Sequence, residues 1–454
     1  MTAQTLDAAG AVRDARPRVA VFGWAGKLDT MPAQADVLPS SPESVVPSAT
    51  VAPRKARIES LDIFRGLNLA LMIFVNELAE VKGLPWWTYH APGRVDAMTY
   101  VDMVFPGFLL IVGMSLPLAL GSRVRRGDGP LQMVGYIVLR SGALLALGIV
   151  IANAGGGSPA LMHGLPPYAW GLLATGAAVL VWLDYATLGK CSLPILGRKS
   201  VQWLLRGVGL VGLLALALMF QRVAHDGGAR WLSYDYPEIL GLIGYTYFAA
   251  GLCYLLTRRW RWAPVGWFIV FVVMNALDSA KILHKPGPWW VWPLDNGALL
   301  SLVFAGVVLS TIFFLEPRLA TFRAKATAAL GFAVACAVTA MLLTPLGISK
   351  IRATPTWVLY TVAACCALYT LLYWICDVRK HTRWAAPVRS AGSNTLLTYL
   401  LPDVYFFVLA LMGVKWFATH LATGWPGVLR AVVFTAAMLG VSTLLTRMRL
   451  RLQL

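Results

Sequence analysis

Long apolar stretches separated by short polar connections run through most of this chain. Twelve stretches approach the roughly 20 residues that an α-helix needs to cross a bilayer. They lie near 60–80, 99–121, 131–153, 166–185, 201–220, 238–257, 263–281, 295–315, 326–345, 356–376, 392–412 and 425–446. Apolar residues make up 58% of the chain and charged residues only 13%, which is typical of an integral membrane protein. The sequence therefore predicts an all-α, polytopic membrane helix bundle with about 11 to 12 transmembrane helices.

The remaining segments divide the chain into three parts. Residues 1–56 are rich in Ala, Pro, Val and Ser without a long apolar run, so we expect a disordered cytoplasmic tail. We expect residues 57–446 to form the transmembrane domain. Residues 447–454 contain three arginines and are predicted to be a basic cytoplasmic C-terminal tail.

The basic residues of the loops predict the orientation. Lys and Arg are more frequent in one alternating set of loops, and both tails fall on that side. Because cytoplasmic loops carry the positive excess, we expect both termini in the cytoplasm and the loop around His90 outside it. We expect the bacterial inner membrane. The net charge of +18 is scattered over loop ends and tails, which excludes a nucleic-acid module and favours contacts with anionic lipid headgroups.

Three polar residues fall near the outer end of the first two spans. Asn76 interrupts the first span, His90 follows it, and Asp102 opens the second span. Polar groups at membrane depth are costly and usually functional. We expect His90 to act as a base, Asp102 as its orienting carboxylate and Asn76 as an amide donor. Polar capping of helix ends is the alternative for each residue.

The first span also begins with a charged pair. Asp62 and Arg65 are three residues apart, so they share a helix face and can form an ion pair. A membrane-edge anchor is the alternative interpretation of this pair. The six cysteines lie in predicted spans or, for Cys191, in a cytoplasmic loop, which predicts no disulfide. The histidines share no ligand spacing, so no metal site is expected.

One stretch of the chain opens with Ser60-Leu61-Asp62-Ile63-Phe64-Arg65-Gly66-Leu67 and continues through Asn76 and His90-Ala91 to Asp102-Met103-Val104-Phe105-Pro106-Gly107-Phe108. This stretch resembles the heparan-alpha-glucosaminide N-acetyltransferase family, within a broader group of transmembrane acyltransferases. Weaker likenesses follow at Arg140, Asp295, Lys350 before Trp357, and Gly392-Ser393-Asn394. The animal enzymes of that family carry a lumenal domain ahead of the membrane part, and we expect a bacterial-type member without it.

The resemblance implies that residues 57–446 are an acyltransferase domain that moves an acetyl group from cytoplasmic acetyl-CoA to an extracytoplasmic amino sugar or glycan. His90 then corresponds to the active-site histidine, acting as general base or as a covalent acetyl relay. The phosphates of acetyl-CoA need fixed cations, for which we expect Arg65 and Arg140, with Arg206 as a further candidate and Asn394 as a neighbouring binding residue. Snorkelling to the interface is the alternative for the arginines.

Other functions remain open from the sequence. A secondary transporter of a sugar or anionic solute also has many spans with intramembrane charges, although the two halves show no convincing repeat. An O-acetyltransferase acting on envelope polysaccharide is a third alternative. Expected partners are acetyl-CoA, the glycan acceptor and the lipid bilayer, with a homodimer left open and no nucleic acid or metal.

Overall fold

A computed structural model describes residues 58–189, 194–224, 226–283, 292–414 and 416–453. The predicted tail 1–56 and Cys191 lie outside these residues. The described chain is a helical bundle whose only sheet is a two-residue hairpin, β1 (Arg222–Val223) antiparallel to β2 (Ala229–Arg230). α-Helices satisfy their own backbone polar groups, which lets a bundle of them lie within a membrane.

Sixteen α-helices follow one another along the described residues. They are α1 Glu59–Ala79, α2 Val104–Val124, α3 Pro130–Asn153, α4 Pro167–Trp182, α5 Tyr185–Gly189, α6 Lys199–Met219, α7 Glu238–Thr257, α8 Ala263–Ser279, α9 Trp292–Asp295, α10 Ala298–Ser310, α11 Phe322–Leu342, α12 Pro355–Tyr373, α13 Ala386–Ser393, α14 Thr395–Leu411, α15 Trp416–Thr419 and α16 Gly424–Arg447. A 3₁₀ turn, Tyr100–Met103, leads into α2, and π-helical turns extend α10 (Thr311–Leu315) and α12 (Trp374–Val378).

Each of the twelve predicted spans overlaps one long helix of this set, but fewer pass a length and hydropathy test. Within the described residues, eight helices are long and apolar enough to cross a membrane, or nine if α13 and α14, bent by 80°, form one broken span. Helices α4 and α8 are too short, with 16 and 17 residues, and α1 carries Glu59, Asp62, Arg65 and Glu77. The protein is an integral membrane bundle, and the count of 11 to 12 spans stays a prediction.

Helix α10 forms the centre of the core. All of its residues from Ala298 to Ser310 are buried, and it packs most extensively against α2 and α8. At the crossing with α2, a Cβ on Gly306 would overlap the carbonyl of Leu110, and one on Gly113 would overlap the carbonyl of Val303. The two helices are therefore closer than any larger residue at either glycine would allow.

The ends of the bundle hold different groups. One end contains the loop from Glu80 to Thr99, the β-hairpin and the turn between α11 and α12; we call it the His90 end. The opposite end contains the start of α1, the bend between α13 and α14, and the C-terminal residues after α16. Candidate catalytic and cofactor-binding side chains are thus separated along the bundle axis.

Candidate active site

The loop that carries His90 is pinned on both sides of the histidine. Tyr89 donates its hydroxyl to the carbonyl of Val81 at 2.5 Å, just beyond the end of α1. The Thr99 hydroxyl donates to the carbonyl of Tyr89 at 2.8 Å. Both bonds hold Tyr89, the residue before His90, against the two ends of the loop, so the backbone at His90 has a defined position relative to α1 and α2.

Asp102 orients the imidazole of His90. Its carboxylate is fully buried, and Oδ1 lies 2.7 Å from His90 Nδ1. The second oxygen accepts backbone N–H groups from Thr99 at 2.9 Å and Ala91 at 3.2 Å. A carboxylate only accepts, so Nδ1 of the neutral imidazole is the donor and Nε2 keeps its lone pair. The predicted contact between His90 and Asp102 is present in the structure, and their catalytic roles stay a prediction.

Exposure of the histidine suits contact with a substrate. The His90 side chain is 46% exposed, whereas its carboxylate partner is 0% exposed. A half-exposed base on a buried anchor can take a proton from a molecule arriving at this end.

The turn between α11 and α12 completes this cluster. The Trp357 indole N–H, at the start of α12, donates to the Asp102 carbonyl at 3.0 Å. Lys350 Nζ lies 3.4 Å from His90 Nδ1 and 3.3 Å from Nε2. Lys350 is separated from His90 by 260 positions, so sequence reasoning noted it only as a weak likeness and did not place it at the histidine.

A cavity of about 420 Å³ opens in the half of the bundle away from the His90 end. Both predicted cofactor-binding arginines, Arg65 and Arg140, line this space, which we call the arginine cavity. Arg65 donates to Ser115 at 2.8 Å and to Asp62 at 3.1 Å, which confirms the predicted i, i+3 ion pair. Arg140 donates to the Tyr136 hydroxyl at 3.0 Å. These guanidinium groups face an internal cavity of the size that holds small molecules.

Arg206 lies elsewhere, with its guanidinium 5.7 Å from the centre of the Tyr185 ring. It is not among the residues that line the arginine cavity.

A smaller cavity of about 150 Å³ lies in the half nearer the His90 end. Asn76, Glu77, Glu238 and Asp403 contribute its polar wall. Ile239 and Tyr399 line both cavities, so the two are neighbours along the bundle. His90 is not among the described residues that line either of them.

Comparison with known sequences identifies the chain's relatives. The profile of a family described as "Domain of unknown function (DUF5009)" matches residues 57–289, half of the 454 residues. The chain belongs to this family. Over 97 residues it is also 39% identical to proteins named heparan-alpha-glucosaminide N-acetyltransferase from Mus musculus and from Homo sapiens. The matched segment covers 21% of this chain and only 14% of each of those relatives.

The resemblance predicted from the opening motif is thereby confirmed.

Asn76 was expected beside His90 but lines the smaller cavity. Among the described residues, no hydrogen bond joins it to His90 or Asp102. Asn76 is exposed, and α3, α7, α14 and α16 also contribute residues to that cavity. Its catalytic role stays a prediction.

Asn394, the third predicted cofactor-binding residue, holds the C-terminal segment. Its amide donates to the Leu450 carbonyl at 2.8 Å and to the Thr446 hydroxyl at 3.0 Å, and accepts the Leu452 N–H at 3.2 Å. Leu452 and Gln453 in turn line the arginine cavity. Asn394 is itself buried and outside that lining, so any effect on a ligand would pass through the segment that it holds.

Proposed function

We propose that this protein is a membrane-embedded acetyltransferase that moves an acetyl group from cytoplasmic acetyl-CoA to an amino sugar or glycan on the other side of the membrane. The observation that carries the proposal is the contact of His90 with Asp102. The buried carboxylate lies 2.7 Å from Nδ1 and accepts its N–H in a hydrogen bond, which leaves the Nε2 lone pair free on a half-exposed ring. A neutral imidazole of this kind removes the proton that an amine loses as it attacks a thioester.

The arginine cavity supports the donor side of the proposal. Arg65 and Arg140 place two permanent positive charges around one internal space. Guanidinium groups bind phosphate oxygens bidentately, and acetyl-CoA brings several phosphates. The relatives that match over the short segment are named as N-acetyltransferases, which is consistent with an acetyl donor.

The separation of the two sites supports the transmembrane direction. The arginine cavity belongs to the half away from His90, and the smaller cavity adjoins it in the His90 half. The greater Lys and Arg content of the opposite loops favours the cytoplasm for the arginine side. Donor and acceptor would thus approach from different faces.

Acetyl transfer by the purified protein tests the proposal. The full chain in detergent is incubated with radiolabelled acetyl-CoA and glucosamine, beside His90→Ala and the matched variant His420→Ala, an exposed histidine at the same end. We expect labelled N-acetylglucosamine from the wild type and from His420→Ala but not from His90→Ala. Equal transfer by His90→Ala, or uptake of sugar into vesicles without acetylation, would contradict the enzyme assignment and favour a transporter.

A further inference from the structure

The ammonium group of Lys350 has an unusual position relative to His90. Its Nζ is nearly equidistant from the two ring nitrogens, at 3.4 Å from Nδ1 and 3.3 Å from Nε2. A group in the ring plane at these distances would collide with the carbon between the nitrogens or with the opposite edge of the ring. Lys350 therefore lies over the imidazole face, and the in-plane lone pair of Nε2 stays open to a substrate.

The Lys350 side chain is partly withdrawn from water, and its charged neighbours are few. Its turn is held by the backbone N–H of Ser349, which donates to Thr354 Oγ1 at 3.0 Å. Asp102 and His90 face it from the α1–α2 loop, and the Asp96–Arg352 ion pair links that loop to the same turn. The other charged groups of the described α1–α2 loop, Glu80, Lys82 and Arg94, are exposed to solvent.

We propose that Lys350 is a catalytic residue whose ammonium group stabilises the oxyanion formed when an amine attacks the acetyl thioester at His90 Nε2. The inference rests on the proposed acetyl transfer. When an amine loses its proton to Nε2 in the ring plane, the oxygen of the attacked thioester carbonyl can lie above that plane, on the side where Lys350 Nζ is 3.3 Å from Nε2. Fixed positive charge at a developing oxyanion lowers the barrier without reorganisation during the reaction.

The chemistry balances with the groups present. The amine nitrogen forms a bond to the acetyl carbon, and its proton passes to Nε2 while the carbonyl electron pair moves to oxygen. Lys350 holds that oxyanion by charge and hydrogen bonding. On collapse the carbon–sulfur bond breaks, the sulfur leaves with the electron pair, and the imidazolium returns the proton to give the free thiol. Lys350 keeps its own proton throughout.

This role predicts a dependence on alkaline pH. Burial lowers the pKa of Lys350 from its usual value of 10.5, and the Asp102 carboxylate opposes that change. Activity that needs the ammonium form is therefore present at neutral pH and falls as the pH rises through a value below 10.5. An arginine at this position stays charged over the whole range.

Three variants of the full-length protein in detergent test the inference, with acetyl-CoA and glucosamine as substrates. Lys350→Met should lower kcat about 10²- to 10³-fold, the loss typical of one oxyanion donor, with unchanged acetyl-CoA affinity by calorimetry. Lys350→Arg should recover part of kcat and move the alkaline fall in rate to higher pH. Lys82→Met, which replaces an exposed lysine of the loop that carries His90, should behave as the wild type.

The outcomes separate this inference from the proposed function. An active wild type whose Lys350→Met variant keeps kcat within twofold would overturn the role of Lys350 alone. A Lys350→Arg variant whose rate falls at the same alkaline pH as that of the wild type would also overturn this role. That result would count even if the Lys350→Met variant were poorly folded. A wild type that transfers no acetyl group would overturn the proposed function, and this inference with it.

Discussion

Replacement of Asp102 by asparagine should abolish most catalysis while leaving the fold intact. Asp102 Oδ2 accepts the backbone N–H groups of Thr99 and Ala91, and Oδ1 accepts His90 Nδ1–H. In Asp102→Asn the carbonyl oxygen can keep both backbone bonds, which places the amide NH₂ against Nδ1. The imidazole then accepts at Nδ1 and carries its proton on Nε2, the wrong tautomer for a base.

The magnitude follows from that change of tautomer. The equivalent change in a Ser-His-Asp triad lowers kcat by roughly 10⁴-fold, so we expect a loss of about 10²- to 10⁴-fold, or about 2.7 to 5.4 kcal/mol of transition-state stabilisation. Alanine at this position is a poorer probe, because it leaves two buried N–H groups unpaired at a cost of about 1–3 kcal/mol each.

Steady-state kinetics with radiolabelled acetyl-CoA and glucosamine measure the effect. The matched control is Glu80→Gln, an exposed carboxylate of the same loop, for which we expect wild-type kcat. The midpoint of thermal unfolding of Asp102→Asn should stay close to that of the wild type. A variant with unchanged kcat, or one that loses only affinity for acetyl-CoA, would refute the role of Asp102 in orienting His90.

Three further variants test other parts of the structure. Arg140→Ala should weaken acetyl-CoA binding about 10- to 100-fold by calorimetry, as expected for one charge-assisted phosphate contact; unchanged affinity would make Arg140 structural. Asn394→Ala should destabilise the protein by about 1–3 kcal/mol for each backbone group left unpaired at the C-terminal segment. Thermal unfolding measures this loss, and proteolysis after α16 should be faster. Wild-type stability and proteolysis would show that Asn394 does not hold the C-terminal segment. Gly306→Ala should lower the yield of folded protein on size-exclusion chromatography, because its Cβ overlaps the Leu110 carbonyl. The control Gly331→Ala adds a Cβ in open space and should keep the wild-type yield. Equal yields from the two variants would contradict the close α2–α10 crossing.

Local patterns in the sequence predicted the helices and the first part of the site. Hydropathy is a property of neighbouring residues, so each predicted span overlaps a helix of the structure. His90 and Asp102 are 12 positions apart and flank one loop, so their pairing could be expected from the sequence. The ion pair of Asp62 with Arg65 follows from helix periodicity alone.

Contacts between distant segments could not be predicted in this way. Lys350 reaches His90 only because α12 packs beside α2, where Trp357 bonds to the Asp102 carbonyl. Asn394 was expected at a cofactor, but its amide is used by a segment more than 50 positions later, at Leu450. Asn76 was expected at His90, but the rotation of α1 places it in the lining of the smaller cavity. Helix rotation and packing partners, not local composition, decide all three.

Transfer across a sealed membrane tests the central claim most directly. The protein is reconstituted into liposomes with glucosamine inside, and radiolabelled acetyl-CoA is added outside. Only vesicles in which the arginine cavity faces the added acetyl-CoA are used. Protease access to the C-terminal tail identifies this orientation. We predict labelled N-acetylglucosamine in the lumen with the wild type and none with His90→Ala. Label that forms only when donor and acceptor share one compartment would contradict the account.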